Sequence, residues 1–461
     1  MVVHRRLALC VGLACTALAW ASSAAPPDRE AALAEIGRYR DQARWLDALG
    51  AIERASQQQP NDDLLFKLRV LTLGDIGNAW RAWELYQQRP QLFDAAQKQR
   101  LEGDYLAKLV VWSLAYSSSE DSRLEEAEST LARMQRYLGG EGTPPSQAPL
   151  RIRMDRLILL NRLGRHAQVR EEARALQAEG HTLPDYVLPA VGDSLMGTLH
   201  PEEAIPVLQA AVAGDPTRDA SHSELAYAYL ESEQQEKAID LLQAWRDKEP
   251  AWRWSNGKSP YANWSRYEAD LNLAMVRAYS GDLHTAQHDL ESMVEIAPGN
   301  GGLQSALGSV YMMRGWPRRA LQRQQMAHAL DPRDIEPRLG MEEAYVALQR
   351  DDLARPLHDD LVARYPTQPA VERMDQAWRA HRGWQLKAWT DIGRSSGGGG
   401  TSPLGNNDRH YGVDVETPIL DDRWRLFALA DRRVTDFQDQ RIDPLWPVSY
   451  THLTLPTSDL V

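Results

Sequence analysis

Five prolines, Pro216, Pro250, Pro298, Pro332 and Pro366, stand 34, 48, 34 and 34 residues apart, and 48 is 34 with 14 residues inserted. The positions inside each interval keep the same ruler. Ala204, Leu208 and Ala211 precede Pro216; Ala238, Leu242 and Trp245 precede Pro250; Ala320 and Ala327 precede Pro332; Ala354 and Leu361 precede Pro366. Earlier in each unit come Gly192 and Leu195, Ala226 and Tyr229, Gly308 and Tyr311, Met341 and Tyr345. Small residues at the eighth and twentieth places let two antiparallel helices approach closely, and Tyr or Leu at the eleventh fills the space beside them. Proline closes the second helix, because it lacks an amide and its ring clashes with the preceding turn.

A 34-residue period with these internal positions resembles the tetratricopeptide repeat. Weaker copies extend upstream through Ile36, Tyr39, Ala48, Ile52, Ala55 and Pro60, then Phe66, Leu73, Ala82 and Tyr86, with two degenerate helix pairs from Leu101 to Leu183. The expectation is an all-α superhelical solenoid of about nine helix pairs over residues 25–382, interrupted by a Trp-rich insertion at 251–264. Units of this kind need at least ~3 stacked neighbours for stability, which this number exceeds.

Composition narrows the function classes. The 461 residues carry 52 basic and 64 acidic side chains, a net charge of −12, which makes nucleic acid an unsuitable partner. Mean hydropathy is −0.51, and beyond the first 25 residues no run reaches the ~18–20 apolar residues of a membrane helix. Residues 1–24 read as a secretory signal peptide: a basic start with Arg5 and Arg6, an apolar segment from Leu7 to Trp20, then small residues with cleavage after Ala24. Cys10 and Cys15 both lie inside it, outside any lipoprotein box, so the mature chain has no cysteine for disulfide, nucleophile or metal.

Helical periodicity stops near Gly383. Trp384, Leu386, Ala388, Thr390 and Ile392 then alternate with polar or larger residues, and Tyr411, Val413, Val415 and Thr417 do so again after a glycine-rich stretch from Ser395 to Asp408. A tight turn at Asp421-Asp422 leads to a third run from Trp424. Alternating runs of about ten residues with one long and one short connection fit the first strands of a truncated outer-membrane β-barrel, residues 383–447; an ordinary soluble hairpin is the alternative. Residues 448–461 begin with VSYTHLTLPT, which resembles the translation of a sequencing adapter and is expected to be an artefact.

Signal peptide, repeat array and nascent barrel together resemble the poly-β-1,6-N-acetylglucosamine export porins of bacterial biofilm systems. The closest likeness is RGWQLKAWTDIGRS from Arg382 and YGVDVETPILDDRWRLFALADRR from Tyr411. The resemblance implies an outer-membrane polysaccharide exporter with its repeats in the periplasm. Those repeats would engage the partly deacetylated polymer, poly-N-acetylglucosamine, and a periplasmic polysaccharide deacetylase lipoprotein. A cellulose-type export subunit and a soluble periplasmic scaffold are the alternatives.

In the repeat register, the first helix of each unit lines the inner groove. In the five C-terminal units those positions include Asp193, Glu224, Glu231, Glu268, Glu336 and Glu343, together with Tyr186, Tyr227 and Tyr279, and no Lys or Arg. Such a face suits a polymer bearing ammonium groups, through charge and ring stacking; the alternative is a solvated acidic face. The insertion offers Trp252, Trp254, Tyr261 and Trp264 either as an exposed binding platform or as rings that pack the loop down. Catalytic patterns are missing. His284 and His288 lack the glutamate of a zinc-protease helix, Gly397–Gly400 lack the Gly-Lys-Ser/Thr of a phosphate loop, and no Gly-x-Ser-x-Gly elbow occurs. The expectation is a binding and export protein, not an enzyme, with no cofactor.

Overall fold

The computed structural model describes residues 29–115, 124–137, 149–366, 368–395, 406–437, 440–442 and 445–453. The signal-peptide segment, both cysteines, Gly397–Gly400 and residues 454–461 lie outside them. The chain divides into two compact units, the first reaching Trp112 and the second starting at Ser113.

The first unit holds the antiparallel pairs α1 (Arg29–Asp41) with α2 (Trp45–Gln58) and α3 (Asp63–Asp75) with α4 (Ala79–Tyr86), followed by α5 (Ala95–Ser113). Asp62 caps α3, accepting from the Leu64 and Leu65 amides at 2.8 and 3.1 Å. Ile36, Ile52 and Leu65 fill one core cluster and Val70, Leu85 and Leu101 another. Trp83 stacks on Tyr105, with centroids 5.3 Å apart.

The second unit opens with α6 (Glu125–Tyr137). Six pairs follow: α7 (Leu150–Arg162) with α8 (His166–Ala178), α9 (Leu188–Gly197) with α10 (Pro201–Gly214), α11 (Asp219–Glu231) with α12 (Gln235–Lys248), α13 (Trp264–Tyr279) with α14 (Leu283–Ile296), α15 (Gly301–Met313) with α16 (Pro317–Leu330), and α17 (Glu336–Ala347) with α18 (Asp351–Arg364). Helix α19 (Pro369–Arg382) ends the series. The proline ruler is met closely: each of the five prolines sits two residues past the last residue of α10, α12, α14, α16 or α18. Ala204, Ala238, Ala320 and Ala354, at the twentieth place, are fully buried. At the eighth place a side chain on Gly192 would come within 2.3 Å of Leu208, so glycine here is what lets the helices close.

Every described turn within a pair reverses through one left-handed residue. It is Gly77, Gly164, Gly281 or Gly315 in four pairs, and Ala43, Leu199, Glu233 or Gln349 in the other four. The eleventh-place tyrosines clasp successive pairs together, each to a residue twenty positions earlier on the preceding second helix. Gln209 Nε2 donates to Tyr229 Oη at 2.7 Å, Tyr311 Oη to Glu291 Oε1 at 2.8 Å, and Gln325 Nε2 to Tyr345 Oη at 3.5 Å.

The insertion forms a hairpin of β1 (Trp252–Ser255) and β2 (Ser259–Ala262), turning through left-handed Asn256 and Gly257. Its two ends meet: the Asn263 amide donates to the Ala251 carbonyl at 3.1 Å.

After α19, a mixed-length antiparallel sheet comprises β3 (Gln385–Ser395), β4 (Asn406–Glu416), β5 (Trp424–Phe437), β6 (Gln440–Ile442) and β7 (Leu445–Leu453). The sequence reading counts three strands; β6 and β7 both return along β5, and β7 carries the ladder through Val448–Leu453. The sheet is open. Its register puts Leu386, Val415 and Ala428 in one row and Ala388, Val413 and Ala430 in the next, an apolar face on which Leu386 is 71% exposed. The opposite face carries the ion pairs Lys387–Glu416 at 3.0 Å, Arg425–Glu416 at 3.2 Å and Arg433–Asp408 at 2.6 Å. One apolar and one polar face on the same strands is an alternation that a membrane barrel wall and a one-sided soluble sheet share. Among the described residues no helix is long and apolar enough to cross a membrane.

A latch joins the last helices to this sheet. The Asp421-Asp422 turn is left-handed at both residues, and Asp422 takes ion pairs from Arg355 and, at 2.5 Å, from Arg382. Arg382 also reaches Asp351 at 3.3 Å, and Arg425 on β5 donates to the His381 carbonyl.

Candidate functional site

Within the second unit the first helices of successive pairs pack directly on one another, α7 on α9, α9 on α11, and onward through α13, α15, α17 and α19. Side chains on that shared surface are half-buried between neighbouring helices, and the register places carboxylates and phenols there. Burial penalises a carboxylate's charged form. Burial first, and the Asp193 charge second, push Glu224 up to about 8 against the opposing pull of Arg218. Glu224 Oε2 is buried without a hydrogen-bond partner. Asp193 itself accepts from Asn161 Nδ2 at 2.7 Å.

The stripe continues along the next helices. Burial, then Asp219, raises Glu268, while a bond from Asn272 works against the rise. Tyr227 and Tyr279 meet edge-on, with ring centroids 6.3 Å apart. Burial raises both phenols, with Tyr279 and Glu268 adding to the effect at Tyr227 and Glu336 adding to it at Tyr279. Glu336 is raised by burial and by Asp334, opposed by Arg373, and Glu343 by burial. Asp193 and Glu224 are thus electrostatic neighbours, and Glu268, Tyr227, Tyr279 and Glu336 form a second such set. Glu231 is exposed at the end of α11, and no described contact ties it to them. Two arginines, Arg218 and Arg373, reach the two sets from positions outside the register.

Register reasoning missed members at both ends. Tyr186 Oη donates to Asp155 Oδ1 at 3.0 Å; burial raises Asp155, and burial together with Asp155 pushes Tyr186 up to about 12. Asp155 lies on α7, where the repeat pattern is too degenerate to set the register. Glu342, beside Glu343, is pushed up to about 7 by burial, then by Glu343 and Asp351. Its position reads as a core place of the helix, so sequence gives no signal for it.

All four aromatic residues of the insertion stand out. Trp252 and Trp254 are 59% and 60% exposed, and Tyr261 and Trp264 are exposed as well. The hairpin is tied to Glu249 by Asn263 Nδ2, which donates to Glu249 Oε2 and the Pro250 carbonyl, both at 2.8 Å, and by Arg253 of β1, which donates to Glu249 Oε2 at 2.8 Å. Trp264 rests edge-on against Tyr267 at 5.4 Å. The reading in which these rings pack the loop onto its neighbours is not what the structure has. His284 and His288 are both exposed on α14. Among the described residues no group of three or more His, Cys, Asp or Glu is placed to hold a metal.

A tetratricopeptide-repeat family profile matches residues 200–256, from α10 into the hairpin. A tetratricopeptide repeat protein from Parabacteroides merdae is similar in structure at a TM-score of 0.41 and 13% identity, covering 59% of this chain and 97% of that one. Among curated proteins the chain is similar to the poly-beta-1,6-N-acetyl-D-glucosamine export proteins of Escherichia coli K12 and Escherichia coli O157:H7. It is 28% identical to each over 421 residues, 87% of this chain and 49% of the relative. The chain spans about half the length of these relatives, and the likeness to export proteins first visible in the junction residues extends over most of its own length.

Proposed function

We propose that this chain is the periplasmic solenoid and first barrel strands of an outer-membrane exporter of poly-β-1,6-N-acetylglucosamine, a biofilm exopolysaccharide. The stripe on the first helices binds the partly deacetylated polymer. The observation that carries this is the series Glu224, Glu268, Glu336 and Glu343, whose carboxylates are held half-buried without a base in their own register. A carboxylate raised by burial gains most from a cation brought beside it, and the polymer's free amines supply one. Tyr227 and Tyr279 offer faces on which sugar rings stack. The names of the curated relatives support the polymer class, and the two-faced sheet fits an outer-membrane setting.

The exposed Trp252 and Trp254 extend the same function as a platform for the polymer. The partner deacetylase lipoprotein is the other occupant this hairpin suits. A β-1,6-linked glucosamine pentasaccharide should bind the full chain in detergent. Its affinity should fall with added salt and drop severalfold in Glu224→Gln/Glu268→Gln. Trp252→Ala/Trp254→Ala should weaken it without loss of helix content. Salt-insensitive binding, or none, would refute the stripe as a polymer site.

A further inference from the structure

Between the end of the solenoid and the sheet lies a cavity of about 610 Å³. That is within the ~300–1,000 Å³ of small-ligand sites. Its helical wall is Asp351 of α18 and His381 of α19; its other wall is Lys387, Asp414, Glu416 and Phe427 of β3, β4 and β5. These four strand residues belong to the polar face described above; Trp424, which also lines the cavity, has the alternation of the other face at the start of β5. The last helices therefore cover the start of that polar face, not the apolar one, and the latch at Asp422 holds them there.

Most charges around the cavity already have partners. Asp351 is matched by His381 Nε2 at 3.0 Å and by Arg382, and Glu416 by Lys387 and Arg425. Asp414 differs, because its Oδ1 is buried with no hydrogen-bond partner. A buried carboxylate oxygen left without a donor costs free energy that a ligand N–H or O–H recovers. Phe427 and Trp424 supply apolar surface on the same walls. One unmatched acceptor, flanking charged pairs and aromatic surface together suit a polar, ring-shaped ligand with a positive or hydroxylic edge.

The cavity wall lies within electrostatic reach of the stripe. Glu343 on the stripe influences Glu342, and Glu342 is influenced in turn by Asp351 on the cavity wall. Glu342 itself is buried, so it is carboxylate charge that links the first helices to the cavity wall.

We propose that this cavity is a saccharide subsite, taking one amino-sugar unit of the polymer as it passes from the solenoid to the polar face of the strands, with Asp414 accepting from its ammonium or hydroxyl. The proposal rests on the polymer reading of the stripe. It is tested with the full chain in detergent, carrying photoreactive 4-benzoylphenylalanine in place of Phe427 or, in a separate chain, of Tyr227. Each is illuminated with a biotin-tagged β-1,6-linked glucosamine pentasaccharide. Both chains should be labelled, and excess untagged sugar should abolish both labels. Adding Asp414→Asn should cut labelling at position 427 about tenfold and leave position 227 unchanged. If the Phe427 chain loses helical circular dichroism, the probe at Gln385 on the rim repeats the experiment. Labelling at 227 without labelling in the cavity, or cavity labelling indifferent to Asp414→Asn, overturns the subsite and leaves the stripe reading intact. Labelling at neither overturns both.

Discussion

Glu224 makes the solenoid's stability depend on pH in an unusual direction. Its carboxyl releases a proton near 4.5 in the unfolded chain and near about 8 in the folded one. Between those values the folded state holds more protons than the unfolded state, so stability falls as pH rises and levels off above the folded value. At ~1.4 kcal/mol per pH unit, the span sets a ceiling of roughly 5 kcal/mol above pH 8. Rotation of the half-buried side chain toward water relieves part of this. Glu224→Gln removes the charge and keeps the shape. The substitution should therefore stabilise the protein by about 2–4 kcal/mol at pH 8.5, yet by only about 1 kcal/mol or less at pH 5. Native-state amide exchange of α11, corrected for intrinsic rates at each pH, reads the opening of that helix even if repeats unfold in segments. An equal gain at both pH values, or a loss at both, would refute the claim that a desolvated carboxylate sits at this point of the stripe.

Other consequences are simpler to read. Gly192→Ala forces a methyl into Leu208 and should cost about 1–3 kcal/mol by urea unfolding, whereas Gly164→Ala acts only through its left-handed backbone. Tyr311→Phe removes the bond to Glu291 and should lower stability by about 1 kcal/mol, with Tyr229→Phe similar at its own junction. Leu199 is left-handed and 86% exposed, so Leu199→Gly should raise the melting temperature, by roughly 1 kcal/mol of relieved backbone strain. An unchanged or lower melting temperature would mean that turn is not strained.

What could be read from the sequence follows from how locally each cause acts. Proline ends a helix by its own covalent chemistry, so Pro216 through Pro366 mark the second helices directly. Ala204 and Ala354 are equally legible, because helix contact at the twentieth place tolerates little else. Between Asp193 and Glu343 the register finds most of the stripe, but it adds Glu231, which stands apart, omits Glu342, and gives no guide at Asp155. The hairpin carries a local signal in Asn256-Gly257, the left-handed centre of a three-residue loop between paired Ser255 and Ser259. The ion pair of Arg355 with Asp422 bridges 67 positions, and nothing near either residue announces the other. The clasp of Tyr311 to Glu291 is intermediate: its spacing of twenty recurs, but only a structure shows that the two groups touch.

The base of the Trp-rich hairpin closes on itself through one backbone bond from Asn263 to Ala251. Seen from the helices, fourteen residues therefore enter the stack as an insertion of nearly zero length. The exposed part of the segment can therefore change without altering the pitch of the repeats on either side, as long as the Arg253 and Asn263 anchors to Glu249 stay. A foreign hairpin with matching ends should be accepted there without disturbing the solenoid.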